Sequence, residues 1–205
     1  MINKNNSFLI ILSAPSGGGK STILREVLKL RDNIDYSISY TTRAPRGAEE
    51  NGVHYHFVSE AEFLAKLEAQ DFLEYAKVFE KYWYGTSLSY TRSRLAKSRH
   101  VIMDIDVQGA AQIAAAGKVP CVRIFIIPPN MEELKRRLVL RGEDSDEDIA
   151  RRLATAKKEL DYIPEYDYLV INDELEDAVS DVLAIIRAEE LKTSGNQEAQ
   201  QDFLQ

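Results

Sequence analysis

The sequence predicts an α/β fold, a parallel sheet core with helices on both faces. Two observations predict it. Four short apolar runs, Phe8–Leu12, Val101–Met103, Cys121–Ile127 and Tyr168–Ile171, read as strands buried on both faces. Stretches with helical periodicity separate them, at residues 108–116, 131–141, 146–161 and 174–191.

The elements follow in order. Phe8–Leu12 runs into a glycine-rich turn, and Ile23, Leu24, Val27, Leu28 and Leu30 then recur at helical spacing. Residues 35–90 have a different character. Tyr36–Arg43 and Val53–Val58 read as short alternating strands. Ser59 and Glu62 form a capping box for a helix whose apolar face is Phe63, Leu64 and Leu67. Val101–Met103 is a buried strand ending in Asp104, and Cys121–Ile127 is stopped by Pro128 and Pro129. Gly142–Asp148 carries five acids in seven residues, and we read it as a helix start with Ser145 as N-cap. Lys192–Gln205 is polar and non-periodic and reads as a frayed tail.

The 205 residues suffice for one domain with inserted subdomains, and 44% apolar content suffices for a core. A net charge of −7 argues against a nucleic acid polymer as partner, since that needs a basic face. A small anionic ligand stays open, because a local cluster of Arg and Lys outweighs distant charge. The single cysteine, Cys121, excludes an internal disulfide. Phe8–Leu12 is too short to span a membrane and lacks a signal peptide's cleavage site. The expectation is a cytoplasmic protein without a membrane partner.

The strand-to-helix turn is Ala14, Pro15, Ser16, Gly17, Gly18, Gly19, Lys20, Ser21 and Thr22. This is the context a phosphate-binding loop requires. Glycines let backbone N–H groups turn onto phosphate oxygens, and the following helix adds its positive end. Lys20 supplies a point charge for the outer phosphates of a nucleoside triphosphate, and the Ser21 hydroxyl a ligand for Mg2+. The loop pattern opens with Gly, whereas Ala14 stands there and requires a negative φ. Asp104, ending its strand, is the acid that holds Mg2+ through water beside such a loop. In the inserted region, Arg43 and Arg46 stand three apart around a proline-stiffened turn, and guanidinium forks match phosphate.

From these residues the chain resembles the bacterial guanylate kinases over residues 7–190. The matching stretches are Ala14–Thr22, Ser37–Arg46, Glu49–Phe57, Phe72–Glu74, Tyr84–Thr86, Asp104–Gly109, Arg137–Gly142 and Arg152. The resemblance implies a P-loop nucleoside monophosphate kinase fold, with a mixed α/β GMP-binding insertion and a helical lid. The expected division is a core of residues 1–34, 92–128 and 163–191, a GMP-binding subdomain 35–91, a lid 129–162 and a tail 192–205. It implies that Arg43, Arg46, Tyr55 and Tyr84 hold the GMP phosphate. Tyr82 is the alternative to Tyr84, because Phe79–Tyr84 is one residue longer than the usual loop. It implies that Ser39 meets guanine O6 and that Glu74 accepts from N1–H and the exocyclic amine, with Asp106 nearby and Thr86 in support. It places Arg137, Arg141 and Arg152 in a catalytic lid. A second departure is Gly47-Ala48-Glu49, where the family has glycine directly before the acid.

The implied reaction is phosphoryl transfer from ATP to GMP, with dGMP as a further acceptor and Mg2+ as cofactor. Two rivals remain at this point: another small-molecule P-loop kinase, and a non-catalytic phosphopeptide-binding module. His54 and His56 read as neighbours on one strand face without a third metal ligand nearby, and His100 as a surface residue. Trp83 packs either over the acceptor pocket or over the insertion. Asn172 reads either as a neighbour of adenine, by resemblance, or as a turn-forming Asn-Asp.

Overall fold

In the computed structural model, residues 6–78, 80–140 and 145–193 are described. Arg141, the stretch Gly142–Asp144 and the tail beyond Thr193 lie outside them.

The core is a parallel sheet of β1 (Leu9–Ser13), β2 (Ile34–Tyr36), β7 (His100–Asp104), β8 (Cys121–Ile127) and β9 (Tyr168–Ile171). Their order is β2-β7-β1-β8-β9, with β1 in the centre. Every residue of β1 is buried, as a strand covered on both faces must be. On one face Ile10, Leu12, Ile124 and Val170 pack against α1 (Lys20–Leu30) and α7 (Leu175–Glu190). On the other, Leu9, Ile11 and Met103 pack against α3 (Leu88–Leu95) and α4 (Val107–Ala116). Helix positions foreseen from periodicity fall within a residue or so of those observed.

The insertion forms a second sheet, in the order β4-β3-β6-β5, from β3 (Tyr40–Thr41), β4 (His56–Phe57), β5 (Phe72–Val78) and β6 (Tyr82–Ser87). Here the structure corrects the sequence. Tyr36–Arg43 is not one strand: Ile34–Tyr36 belongs to the core sheet, and Tyr40–Thr41 to the second. Val53–Val58 is strand only at His56–Phe57. α2 (Glu60–Glu68) opens with both halves of the Ser59–Glu62 capping box.

β5 breaks strand alternation, for Phe72, Leu73 and Glu74 are all buried. A register shift between Phe72 and Glu74 explains it: two residues of β5 oppose one step of β6. Phe72 stacks on Phe63, Leu73 enters the core beside Leu9 and Ile11, and Glu74 turns into the cavity between the sheets.

α5 (Met131–Leu140) and α6 (Asp146–Leu160) pack through Leu134, Leu138 and Ala156. Ser145 caps α6, its hydroxyl accepting from Asp148 N–H. His100 is not at the surface but 4% exposed. Its Nδ1 accepts from Phe8 N–H at 3.3 Å, and its Nε2 faces Glu190 at 3.2 Å. Trp83 stacks over Phe63 and donates to Glu60, so it covers the insertion.

Candidate nucleotide site

The loop between β1 and α1 lines a cavity at the carboxyl ends of the central strands, where open α/β sheets hold ligands. Gly17 and Gly19 have φ of +94° and +91°, the left-handed region that favours glycine. Ala14 has no positive φ, as its Cβ requires, and a Cβ on Gly18 would meet it at 3.0 Å. α1 starts at Gly19 with no side-chain cap and no acid in its first turn. Its first N–H groups are therefore left for an anion. Lys20 Nζ lies 3.9 Å from Asp104 Oδ2 and 3.4 Å from the Ile105 carbonyl oxygen. Ser21 and Asp104 line this cavity together, and a hydroxyl beside a carboxylate is a hard-oxygen set that suits Mg2+. Tyr36 donates its hydroxyl to Asp104 Oδ1 at 2.7 Å. Burial, then the Asp104 charge, raise the pKa of that phenol.

Asp104 also lines a second cavity, of about 380 Å³, between the core sheet and the insertion. Ser39, Tyr55, Glu74, Tyr84 and Asp106 line it too. Glu74 is 8% exposed and accepts from the Thr86 hydroxyl at 2.7 Å. The Thr86 oxygen lies 3.3 Å from Ser39 Oγ, so Ser39, Thr86 and Glu74 form one polar row. Burial raises the Glu74 carboxyl to about 7; the Thr86 hydrogen bond opposes this and Asp106 adds to it. Asp106 caps α4 as well, its Oδ1 accepting from Gly109 N–H.

At the far end of this cavity, Arg43 Nε donates to the Tyr84 hydroxyl at 3.1 Å, and its guanidinium lies 5.4 Å from the Tyr55 ring centre. Tyr84 lines this cavity, whereas Tyr82 lies under Lys81. Glu49 grips Arg43 with both oxygens, at 2.8 and 2.9 Å. These hydrogen bonds hold the Glu49 carboxyl down at about 2. Sequence reading gave Glu49 no role. Gly47, displaced by one position, has φ +51° in the turn that returns Glu49 to Arg46, whose backbone N–H it also accepts. Arg46 itself is exposed on this loop.

Arg137 and Arg152, on α5 and α6, lie beside the phosphate loop. Arg152 donates to Ser16 Oγ at 3.2 Å. Arg137 pairs with Glu133 and donates to the Asn172 carbonyl at 2.9 Å. Asn172 is buried and donates from Nδ2 to the Gly18 carbonyl at 2.9 Å. It braces the loop, a role the Asn-Asp pattern alone did not reveal. Arg141 lies outside the described residues. His54 Nδ1 accepts from Glu50 N–H and the His56 ring packs on Tyr40; among the described residues no cluster of three or more His, Cys, Asp or Glu suits a metal ion. Among them also, no helix is long and apolar enough to cross a membrane.

A phosphate loop on the central strand and a second cavity between the core and an inserted sheet define the P-loop fold of the nucleoside monophosphate kinase class. The family model for guanylate kinase matches residues 6–189. The guanylate kinase of Pasteurella multocida is 48% identical over 200 residues, which is 96% of this chain and 95% of that one. That of Rhodospirillum rubrum is 46% identical over 184 residues, 90% of this chain and 84% of that one. The crystal structure of guanylate kinase from Anaplasma phagocytophilum matches at a TM-score of 0.74 and 32% identity, covering 95% of this chain and 92% of that one. The chain belongs to the guanylate kinase family.

Proposed function

We propose that the chain transfers the terminal phosphoryl group of ATP to GMP, giving ADP and GDP, and accepts dGMP through the same base and phosphate contacts. One observation carries the reading: two cavities meet at Asp104, one lined by Lys20 and Ser21, the other by the buried carboxylate of Glu74.

ATP sits with its phosphates on Gly17–Ser21 and against the uncapped start of α1. The Ser21 hydroxyl and the Asp104 carboxylate would hold Mg2+, which would supply positive charge to the outer phosphates. Guanine places N1–H and its amine against Glu74 and O6 near Ser39. Adenine, with an acceptor at N1 and no 2-amino group, leaves that carboxylate unpaired. Tyr84 already accepts from Arg43, so its own proton is directed to the acceptor phosphate, alongside Tyr55 and Arg46. Four of Arg43's five N–H groups are engaged by Tyr84, Ala44 and Glu49, so the fork is fixed before GMP arrives. The attacking oxygen is already anionic, so no general base is needed. The work is positioning and charge neutralisation by Lys20, Arg137 and Arg152, with Arg141 assigned to the same lid by resemblance.

A coupled ADP-release assay with ATP, Mg2+ and each monophosphate in turn tests this. GMP should turn over, and AMP should be disfavoured by up to roughly 10⁴-fold. Comparable turnover with AMP overturns the base assignment, and none with GMP overturns the reaction. A phosphopeptide-binding module has no use for an intact Lys20 and Ser21.

A further inference from the structure

Tyr36 ends β2, at the edge of the core sheet, just before the chain leaves for the insertion. β2 runs parallel to β7, with Tyr36 beside Ile102. Neighbours in register share a face of a sheet, and so do residues two apart on one strand. Tyr36, Ile102 and Asp104 therefore project to the same side. From there the Tyr36 hydroxyl donates to Asp104 Oδ1 at 2.7 Å, while Oδ2 is the oxygen that faces Lys20, at 3.9 Å. The two carboxylate oxygens have separate partners: a neutral donor from the edge strand, and the phosphate loop. The final torsion of an Asp side chain is broad, so an untethered carboxylate samples many orientations. A short hydrogen bond to one oxygen removes that freedom. Tyr36 is itself held, its ring against the core cluster and its carbonyl by the Tyr90 hydroxyl at 3.2 Å.

We propose that Tyr36 is a positioning residue for phosphoryl transfer. Its hydroxyl fixes Asp104 so that Oδ2 meets the water shell of the nucleotide-bound divalent cation without reorganising. The proposal rests on the assignment of Asp104 to that cation. It also places the determinant of metal geometry at the root of the acceptor insertion, two strands away from β1 and the loop that binds ATP.

Mn2+ binding to the protein–ADP complex, followed by electron paramagnetic resonance, provides the test without turnover. Tyr36→Phe should weaken Mn2+ by roughly 10-fold, the usual size of a lost outer partner. Metal-free affinities for ADP and GMP should stay at the wild-type level. Tyr90→Phe, which removes the other hydroxyl on this backbone, should leave Mn2+ affinity unchanged. Unchanged Mn2+ affinity in a folded Tyr36→Phe protein overturns the proposal. So does a parallel loss of metal-free ADP or GMP affinity, or a large fall in melting temperature, since the hydroxyl then serves the fold. Asp104→Asn separates the two layers. If it too leaves Mn2+ affinity intact, the metal assignment itself fails; if it weakens Mn2+ where Tyr36→Phe does not, only the positioning role fails.

Discussion

In the proposed reading, Glu74 links base specificity to pH response. Its carboxyl stands at about 7 because it is buried, with Thr86 the donor that keeps it from rising further. GMP needs the ionised form, which alone accepts two N–H donors side by side. The sign follows. Below pH 7 the site holds a proton that GMP must expel, so kcat/KM for GMP should rise as pH climbs through about 7. The acceptor phosphate also ionises, near pH 6 if it behaves as other phosphomonoesters do. Glu74→Gln separates the two: the phosphate step should persist, the step near 7 should vanish, and GMP affinity should fall. A Gln variant that retains the step assigns it elsewhere. Stability without nucleotide runs the other way. A carboxyl raised from 4.5 holds its proton longer when folded, so this group's contribution is full below pH 4.5 and lost as pH rises through 7. The sequence disclosed Glu74 by resemblance but not its protonation, which depends on burial that only the bulge in β5 creates. Asp106 was named by resemblance and lines the cavity, while its place as the N-cap of α4 was not legible.

At the scale of elements, the phosphate loop was the most legible feature and still withheld its support. Three consecutive glycines look alike in sequence, yet they are glycine for two different reasons. Gly17 and Gly19 need positive φ, whereas Gly18 lies under the Ala14 Cβ and the Pro15 carbonyl, each 3.0 Å from where its own Cβ would be. A Cβ on Gly19 would stand 2.1 Å from Asn172 Nδ2. Gly19→Ala therefore combines backbone strain of about 1–3 kcal/mol with expulsion of the Asn172 side chain. We expect KM for ATP to rise strongly, with KM for GMP little changed. Asn172→Ala removes one hydrogen bond to the loop and should raise KM for ATP about 2- to 10-fold. In the double variant the steric part is relieved, so the two losses should not add; strict additivity in this cycle excludes the contact as the cause. The core strands and helices were readable because periodicity over several turns is a strong signal. β3 and β4, two residues each, have no periodicity to read, and β2 was merged with β3 because nothing in the sequence marks a change of sheet.

Across the whole molecule, the proposed site is assembled from three pieces that fold by different contacts. In that reading the core supplies Lys20, Ser21, Asp104, Asp106 and Asn172, α5 and α6 supply Arg137 and Arg152, and the insertion supplies the remaining acceptor residues. Their joints decide whether the pieces meet correctly. α5 meets the loop where a Cβ on Gly17 would touch Leu134 and Leu138. The insertion is rooted by three consecutive residues: Phe72 stacks within it, Leu73 enters the core, and Glu74 lines the acceptor cavity. Gln112 of α4 accepts from Tyr75 N–H, and Lys118 donates to the Phe72 carbonyl, so the root is pinned on both sides of Leu73. Leu73 is thus both a core side chain, 3% exposed, and the neighbour of Glu74, the proposed base reader. Leu73→Ala should cost about 2–5 kcal/mol of stability, as buried leucines do. The informative comparison is Ile186→Ala, fully buried on the opposite face of the sheet against α1. Both variants should melt earlier by similar amounts. Assayed at a temperature where both are folded, only Leu73→Ala should raise KM for GMP, because only there does the cavity form beside Glu74; KM for ATP should hold in both. Equal KM values for GMP in the two variants mean that the bulge positions Glu74 without help from its core anchor.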